Sequence, residues 1–118
     1  MEQMTHMPQL HYEICGKCLI IYINQELDHH AVSYLRERSD RLIEAGNVLH
    51  IIFDFKDVDF MDSSGIGLIM GRYKKVIFLG GKTAVTNVGE NVDRIFRMTG
   101  LYKIIEKYPT PDDAIKSL

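Results

Sequence analysis

The stretch Phe60-Met-Asp-Ser-Ser-Gly-Ile-Gly67 determines how the rest of the chain is interpreted. The apolar run at residues 48–55 precedes it and predicts a buried strand, whereas residues 65–79 have the apolar periodicity of a helix. The serines therefore stand where a loop becomes a helix. Short polar side chains are favoured there because their oxygens accept hydrogen bonds from the unpaired N–H groups of the first turn. In the simplest interpretation one polar residue only caps the helix, whether Asp62, Ser63 or Ser64.

Three glycines in the predicted helix favour a functional interpretation of the motif. Gly65, Gly67 and Gly71 all fall in its first turns. Each costs about 1 kcal/mol relative to alanine inside a helix. A helix start that keeps these glycines is expected to need its bare backbone approached closely by another group.

The remaining patterns predict an α/β fold in a single domain. Its sheet is expected to be mainly parallel, with an antiparallel hairpin at the N-terminal edge and a covering of about four helices. Strands are predicted at residues 10–15, 18–24, 48–55, 83–88 and 102–106. Helices are predicted at residues 30–45, 65–79 and 91–98, and from Thr110 onward. The core face of the second helix is predicted to be Ile66, Ile69, Met70, Tyr73 and Ile77. Residues 1–8 are expected to be a flexible extension, and residues 9–118 the domain.

Composition excludes several classes of function. The 118 residues suffice for one domain with a real core, and the net charge of −2 comes with scattered basic residues. A nucleic-acid partner would need a basic stripe. No apolar run is long enough to span a bilayer, and the N-terminus lacks the pattern of a signal peptide. We therefore expect a cytoplasmic protein without membrane insertion.

Cys15 and Cys18 form a C-x-x-C pair with the turn residues Gly16-Lys17 between two predicted strands. Glycine at the first central position is typical of a type II′ hairpin turn, so the cysteines are expected to face each other across it. A structural zinc site would need two more ligands, and a thioredoxin-type site would lie at a helix N-terminus. The sequence therefore predicts neither a metal nor a cofactor.

Enzyme motifs are incomplete in this chain. The spacing of Gly65, Gly67 and Gly71 does not match the dinucleotide fingerprint, and Gly81-Lys-Thr leads into a strand instead of a helix. A hydrolase using Ser63 would need a base, and the sequence assigns that role to no histidine. The histidines at issue are His29, His30 and His50. Asp54 lacks the acidic partners of a phosphate-accepting receiver domain.

The motif resembles the signature of the STAS-domain anti-sigma factor antagonists. The resemblance rests on Phe60-Met-Asp-Ser-Ser-Gly-Ile-Gly67 followed by Gly71-Arg-Tyr-Lys74. It extends to Glu26-Leu-Asp-His-His30 and to Met98-Thr-Gly-Leu-Tyr-Lys-Ile-Ile105, and so covers nearly the whole chain from about Leu10. The segments at 26–30 and 71–74 make it most similar to the family members that act on sigma F in sporulation. Gln25 departs from the glycine that the family usually has there.

The resemblance implies a switch protein and no enzyme. Members of the family bind an anti-sigma factor that is also a serine kinase, and thereby release the sigma factor. The kinase phosphorylates the serine that follows the motif's aspartate, here Ser63, and a phosphatase restores the active form. The partner-binding residues implied here are Asp28, Met61, Asp62, Ser63, Ser64, Gly65, Ile66 and Gly67. Met61 and Ile66 are expected to be exposed apolar contacts, with a position in the core as the alternative for either residue.

Two alternatives remain open on the sequence. One is a STAS module of another pathway, such as a general-stress sigma cascade or a lipid-transport complex. The other is an enzyme with Ser63 as its nucleophile.

Overall fold

Five strands and four α-helices alternate within residues 10–24, 27 and 29–118, which the computed structural model describes. The strands are β1 (His11–Cys15), β2 (Cys18–Tyr22), β3 (His50–Asp54), β4 (Thr83–Thr86) and β5 (Glu106–Tyr108). The helices are α1 (His29–Glu44), α2 (Ser63–Phe78), α3 (Glu90–Met98) and α4 (Pro111–Ser117), with a 3₁₀ turn at Leu101–Lys103. The predicted order of elements is confirmed.

The strands form one sheet in the order β1-β2-β3-β4-β5. β1 pairs antiparallel with β2, and the other neighbouring pairs are parallel. The predicted fold, a mainly parallel sheet with an antiparallel N-terminal edge hairpin, is therefore confirmed. β3 lies at the centre of the sheet, as its run of Ile and Phe predicts.

Alternate residues of the central strands pack on opposite faces of the sheet. Leu19, Ile51 and Phe53 join the large core beneath α1, α2 and α3, whereas Ile20 and Ile52 pack against α4. Since the parallel strands follow one another in a single direction, right-handed connections place α1 and α2 on the same face. The loops that lead into both helices therefore lie at one edge of the sheet.

The predicted core face of α2 is confirmed in part. Ile69 is fully buried, and Ile66, Met70 and Tyr73 are half-buried against the core, whereas Ile77 is 49% exposed. The residues that α2 buries are Gly65, Leu68, Ile69, Arg72 and Val76. These have the predicted spacing, but the stripe starts one residue earlier. The shift arises because a glycine and an arginine occupy two buried positions, and hydropathy assigns neither of them to a core.

The last strand is also misplaced by the prediction. Residues 102–106 were expected to be extended, yet the 3₁₀ turn lies there and β5 begins only at Glu106. Tyr102 packs edge-on against Phe96, with ring centroids 5.8 Å apart. Its hydroxyl donates to Asp93 at 2.6 Å. These contacts to α3 hold the chain in a turn where apolar residues alone suggested a strand.

Candidate functional site

Ser63 is the first residue of α2, and its side chain is exposed. It follows the loop that leaves the carboxyl end of β3, so the fold places it at the edge of the parallel sheet. Ser64 is half-buried. Within the described part of the chain, no hydrogen bond engages the Ser63 hydroxyl. The serine is thus presented at a helix start with its oxygen accessible.

Asp62 caps α2, which decides among the three caps that the sequence allowed. Its backbone is extended (φ −96°, ψ −173°), and its Oδ1 accepts from the Ser64 N–H at 2.8 Å. The Asp62 carbonyl also accepts from the Gly65 N–H at 3.0 Å. Because the aspartate satisfies the first turn, neither serine hydroxyl is needed for capping.

The loop before α1 is tied to the loop before α2. Leu27 and Met61 form an isolated parallel bridge, and the Asp62 N–H lies 3.5 Å from the Leu27 carbonyl oxygen. The two helix starts are thereby held side by side. Asp28, Gln25 and Glu26 lie outside the described residues, so the expectation that Asp28 binds the partner stays a prediction.

Met61 is a core residue, and the expectation that its side chain is an exposed contact is wrong. The side chain is 1% exposed. A Cβ placed on Gly65 would lie 2.8 Å from Met61 Sδ and 3.3 Å from Leu27 Cδ1. Gly65 is therefore explained by packing inside the domain, because α2 begins close above these two buried side chains.

Gly67 differs from Gly65, because a Cβ placed on it would have no atom within 4 Å. The residue is exposed on the open side of α2. Ile66, beside it, is half-buried and packs against the core. The bare backbone at Gly67 is accessible from outside, and internal packing does not require it.

Phe60 is an exposed apolar side chain that is not among the partner-binding residues predicted from the sequence. It is 58% exposed, next to the buried Met61. Neighbouring residues in extended backbone point to opposite sides. The sequence did contain a signal for an exposed apolar side chain here. Phe60 and Met61 are adjacent large apolar residues, and only one of them could face the core.

A buried ion pair fixes α2 against α1. Arg72 Nε lies 2.8 Å from Asp40 Oδ1, and the Arg72 side chain is 4% exposed. The two atoms form an ion pair without the geometry of a hydrogen bond, since neither of them has a hydrogen-bond partner among the described residues. Burial lowers the pKa of Arg72, and Asp40 opposes that shift. The Gly-Arg-Tyr-Lys segment thus contributes a structural arginine to the helix that carries Ser63.

The other candidate residues are not gathered into a metal-binding cluster in the part of the chain that the structure describes, where no cluster of His, Cys, Asp or Glu is arranged to hold a metal ion. Asp54 is 4% exposed and accepts from Thr86 Oγ1 and Asn87 Nδ2, each at 2.7 Å. His29 and His30 are exposed at the start of α1. Asp54 is engaged in a local network at the end of the sheet.

Among the helices that the structure describes, none is both long and apolar enough to cross a membrane.

The chain matches the model of the STAS domain over residues 9–114. It is 40% identical over 100 residues to an anti-sigma F factor antagonist of Paenibacillus polymyxa, covering 85% of this chain and 86% of that protein. It is 38% identical to an anti-sigma-B factor antagonist of Bacillus subtilis (strain 168), covering 73% of this chain and 77% of the relative.

Two solved structures of the anti-sigma factor antagonist SpoIIAA share the fold. The unphosphorylated form gives a TM-score of 0.82 at 33% identity, covering 92% of this chain and 95% of that one. The phosphorylated form, from Bacillus, gives 0.74 at 32% identity, covering 92% and 98%. The narrower resemblance, to stage II sporulation protein AA, is thus confirmed alongside the wider one. The chain belongs to the STAS domain family of anti-sigma factor antagonists.

Proposed function

We propose that this protein is an anti-anti-sigma factor whose unphosphorylated form binds an anti-sigma factor with serine kinase activity. Binding releases the sigma factor, which we propose to be sigma F in sporulation. Phosphorylation of Ser63 by the same kinase ends the interaction, and a serine phosphatase reverses it. The protein acts as a binding module in the cytoplasm, without catalysis of its own.

The observation that carries the proposal is the accessible Ser63 hydroxyl at a helix start already capped by Asp62. A kinase needs an unhindered hydroxyl, and here the cap has no need of it. The phosphoserine in this position adds about −1.5 to −2 charges and three acceptor oxygens. At a helix N-terminus that charge is favourable by about 0.3–1 kcal/mol. We therefore expect phosphorylation to leave the fold intact.

The partner surface is proposed around the serine. Gly67 supplies exposed backbone against which another chain can pack, and Phe60 adds an apolar side chain at the same helix start. Asp62 is exposed, so the phosphoserine beside it concentrates negative charge at the interface. Burying charge without compensation is costly, and about 1.4 kcal/mol already weakens binding tenfold.

The burial of the motif residues supports different proposed roles for them. Ser63, Asp62 and Gly67 are proposed to touch the partner directly. Gly65 and Met61 support the surface from inside the domain. The remaining residues proposed for this surface are Asp28, Ser64 and Ile66.

The test is intact mass after incubation with ATP and the anti-sigma kinase of the same genome. Wild type is expected to gain one phosphate and Ser63→Ala none. Ser64→Ala is the matched control, since it removes the neighbouring, half-buried hydroxyl and leaves the accessible one. A phosphate on Ser63→Ala, or none on wild type while the kinase modifies another substrate, contradicts the proposal.

A second candidate is the same switch in a general-stress cascade. It is supported by the 38% identity to the anti-sigma-B factor antagonist. A STAS module of a lipid-transport complex is a further alternative that the residue pattern allows. Binding measured against the anti-sigma F and anti-sigma B proteins side by side distinguishes the two cascades, because the true partner is expected to be released on Ser63 phosphorylation.

A further inference from the structure

Cys15 and Cys18 stand directly opposite each other where β1 turns into β2. They are Cα partners in the antiparallel register, and both are free thiols. The turn between them contains Gly16, whose φ of +62° is the value that the first central position of a type II′ turn requires. The expected hairpin is thus confirmed.

The hairpin register pairs the two cysteines across neighbouring strands. Opposite residues that close an antiparallel hairpin have Cα atoms about 5.5 Å apart, inside the range of about 4.4–6.8 Å found for disulfides. Their side chains leave the same face of the sheet. The turn is fixed to β3, since the Lys17 carbonyl accepts from the N–H groups of Leu49 (2.8 Å) and His50 (3.0 Å). The register therefore gives the pair the Cα spacing that a disulfide requires.

We propose that Cys15 and Cys18 are a redox modification site that takes a reversible intrachain disulfide by exchange with a small-molecule disulfide. The Cys15 thiolate attacks one sulfur of the small disulfide, forms a mixed disulfide and releases one thiolate. The Cys18 thiolate then attacks the Cys15 sulfur and expels the second. Two protein thiols are oxidised, the small disulfide is reduced to two thiols, and the protons of the cysteines end on those thiols.

The two cysteines have different parts in this sequence. Cys15 is exposed and receives the incoming disulfide, whereas Cys18 is 6% exposed and completes the ring. Burial, and then the neighbouring Cys15, raise the pKa of Cys18. Since the thiolate is the attacking form, ring closure is expected to accelerate with pH.

The site is remote from Ser63 within the fold. The hairpin turn lies at the amino end of β2, which is parallel to β3, whereas Ser63 follows the carboxyl end of β3. The two modification sites therefore lie at opposite ends of the parallel strands. The dithiol is expected to react equally in the Ser63→Ala variant.

In the test, the folded chain of 118 residues is incubated with oxidised glutathione, and its intact mass is followed. A monomer lighter by two hydrogen atoms, restored by dithiothreitol, is expected. Lys17 lies between the cysteines, so tryptic digestion after denaturation and alkylation gives two separate peptides from the reduced protein. The oxidised protein should retain both cysteines in one disulfide-linked species.

Single variants separate the two steps. Cys18→Ala is expected to stop at the glutathione adduct on Cys15, and Cys15→Ser is expected to stay unmodified while folded. The proposal is overturned if the wild type keeps a stable glutathione adduct, forms disulfide-linked dimers or retains both thiols under conditions that modify the Cys18→Ala variant. The proposal is also overturned if neither the wild type nor the Cys18→Ala variant reacts with oxidised glutathione.

Discussion

Alanine at Gly65 and alanine at Gly67 are expected to change stability in opposite directions. Both glycines lie in the first turns of α2, where alanine is favoured by about 1 kcal/mol through helix propensity alone. At Gly67 a Cβ has no atom within 4 Å, so Gly67→Ala is expected to stabilise by about 1 kcal/mol.

At Gly65 the added methyl group meets a filled space. Its Cβ would lie 2.8 Å from Met61 Sδ, 3.0 Å from Met61 Cε and 3.3 Å from Leu27 Cδ1. The thioether is flexible, but Met61 is 1% exposed and has little room to move. Overpacking of this kind costs about 1–3 kcal/mol, against the gain of about 1 kcal/mol from propensity. The net expectation is a loss of about 0–2 kcal/mol.

The assay is urea unfolding followed by circular dichroism, with the free energy of unfolding extrapolated to zero denaturant. The two variants are expected to differ by about 1–3 kcal/mol, with Gly67→Ala the more stable. Equal stabilisation by both would refute the packing explanation for Gly65. The same pair tests the interface: Gly67→Ala should weaken partner binding although it stabilises the domain, and Gly67→Val should impair binding more than folding.

Four further outcomes follow from the structure. His50 Nδ1 accepts from the Lys82 N–H at 3.0 Å, and burial, then Lys82, lower its pKa from 6.5. The unfolded chain therefore binds the proton more readily, so His50 reduces stability as pH falls below 6.5. Chemical unfolding at pH 5 and 7 should show less pH dependence in His50→Asn, and an unchanged dependence would contradict this. Asp40→Ala leaves Arg72 buried without its partner and is expected to lower the free energy of unfolding by about 3–5 kcal/mol, as measured by thermal or urea unfolding. A decrease of less than about 1 kcal/mol would show that the pair is not structural. Phe60→Ser is expected to weaken partner binding in calorimetry with little change in melting temperature, whereas full affinity would remove Phe60 from the interface. Ser63→Asp, which adds a charge without altering the core, should weaken binding as well, and Ser63→Ala should retain it.

Local patterns predicted most of the architecture. The apolar run of β3, the polar helix start after it and the glycine in the first hairpin turn each specify an element through neighbouring residues. The terminal helix is of the same kind, since Thr110 Oγ1 accepts from the Asp113 N–H and Pro111 occupies the first turn. Such signals are local and do not depend on contacts with distant parts of the domain.

The errors in the predicted fold arose where tertiary contacts determine which residues are buried and where a strand begins. α2 buries Gly65 because of Met61, and Arg72 because of Asp40 on another helix, and no periodicity within α2 reports either partner. The turn before β5 depends on the hydroxyl of Tyr102 reaching Asp93. For the site, the sequence and the family resemblance placed Ser63 correctly at the helix start. They could not tell which glycine serves packing and which is open to a partner.

The central claim is that phosphorylation of Ser63 acts at the interface while the fold persists. Its most direct test is calorimetric affinity of the unphosphorylated and phosphorylated chains for the anti-sigma kinase, with the melting temperature of each form measured alongside. We expect at least a tenfold loss of affinity, about 1.4 kcal/mol, with a melting temperature that is unchanged or slightly higher. Equal affinity of the two forms, or a loss of binding that accompanies unfolding of the phosphorylated chain, would contradict the account.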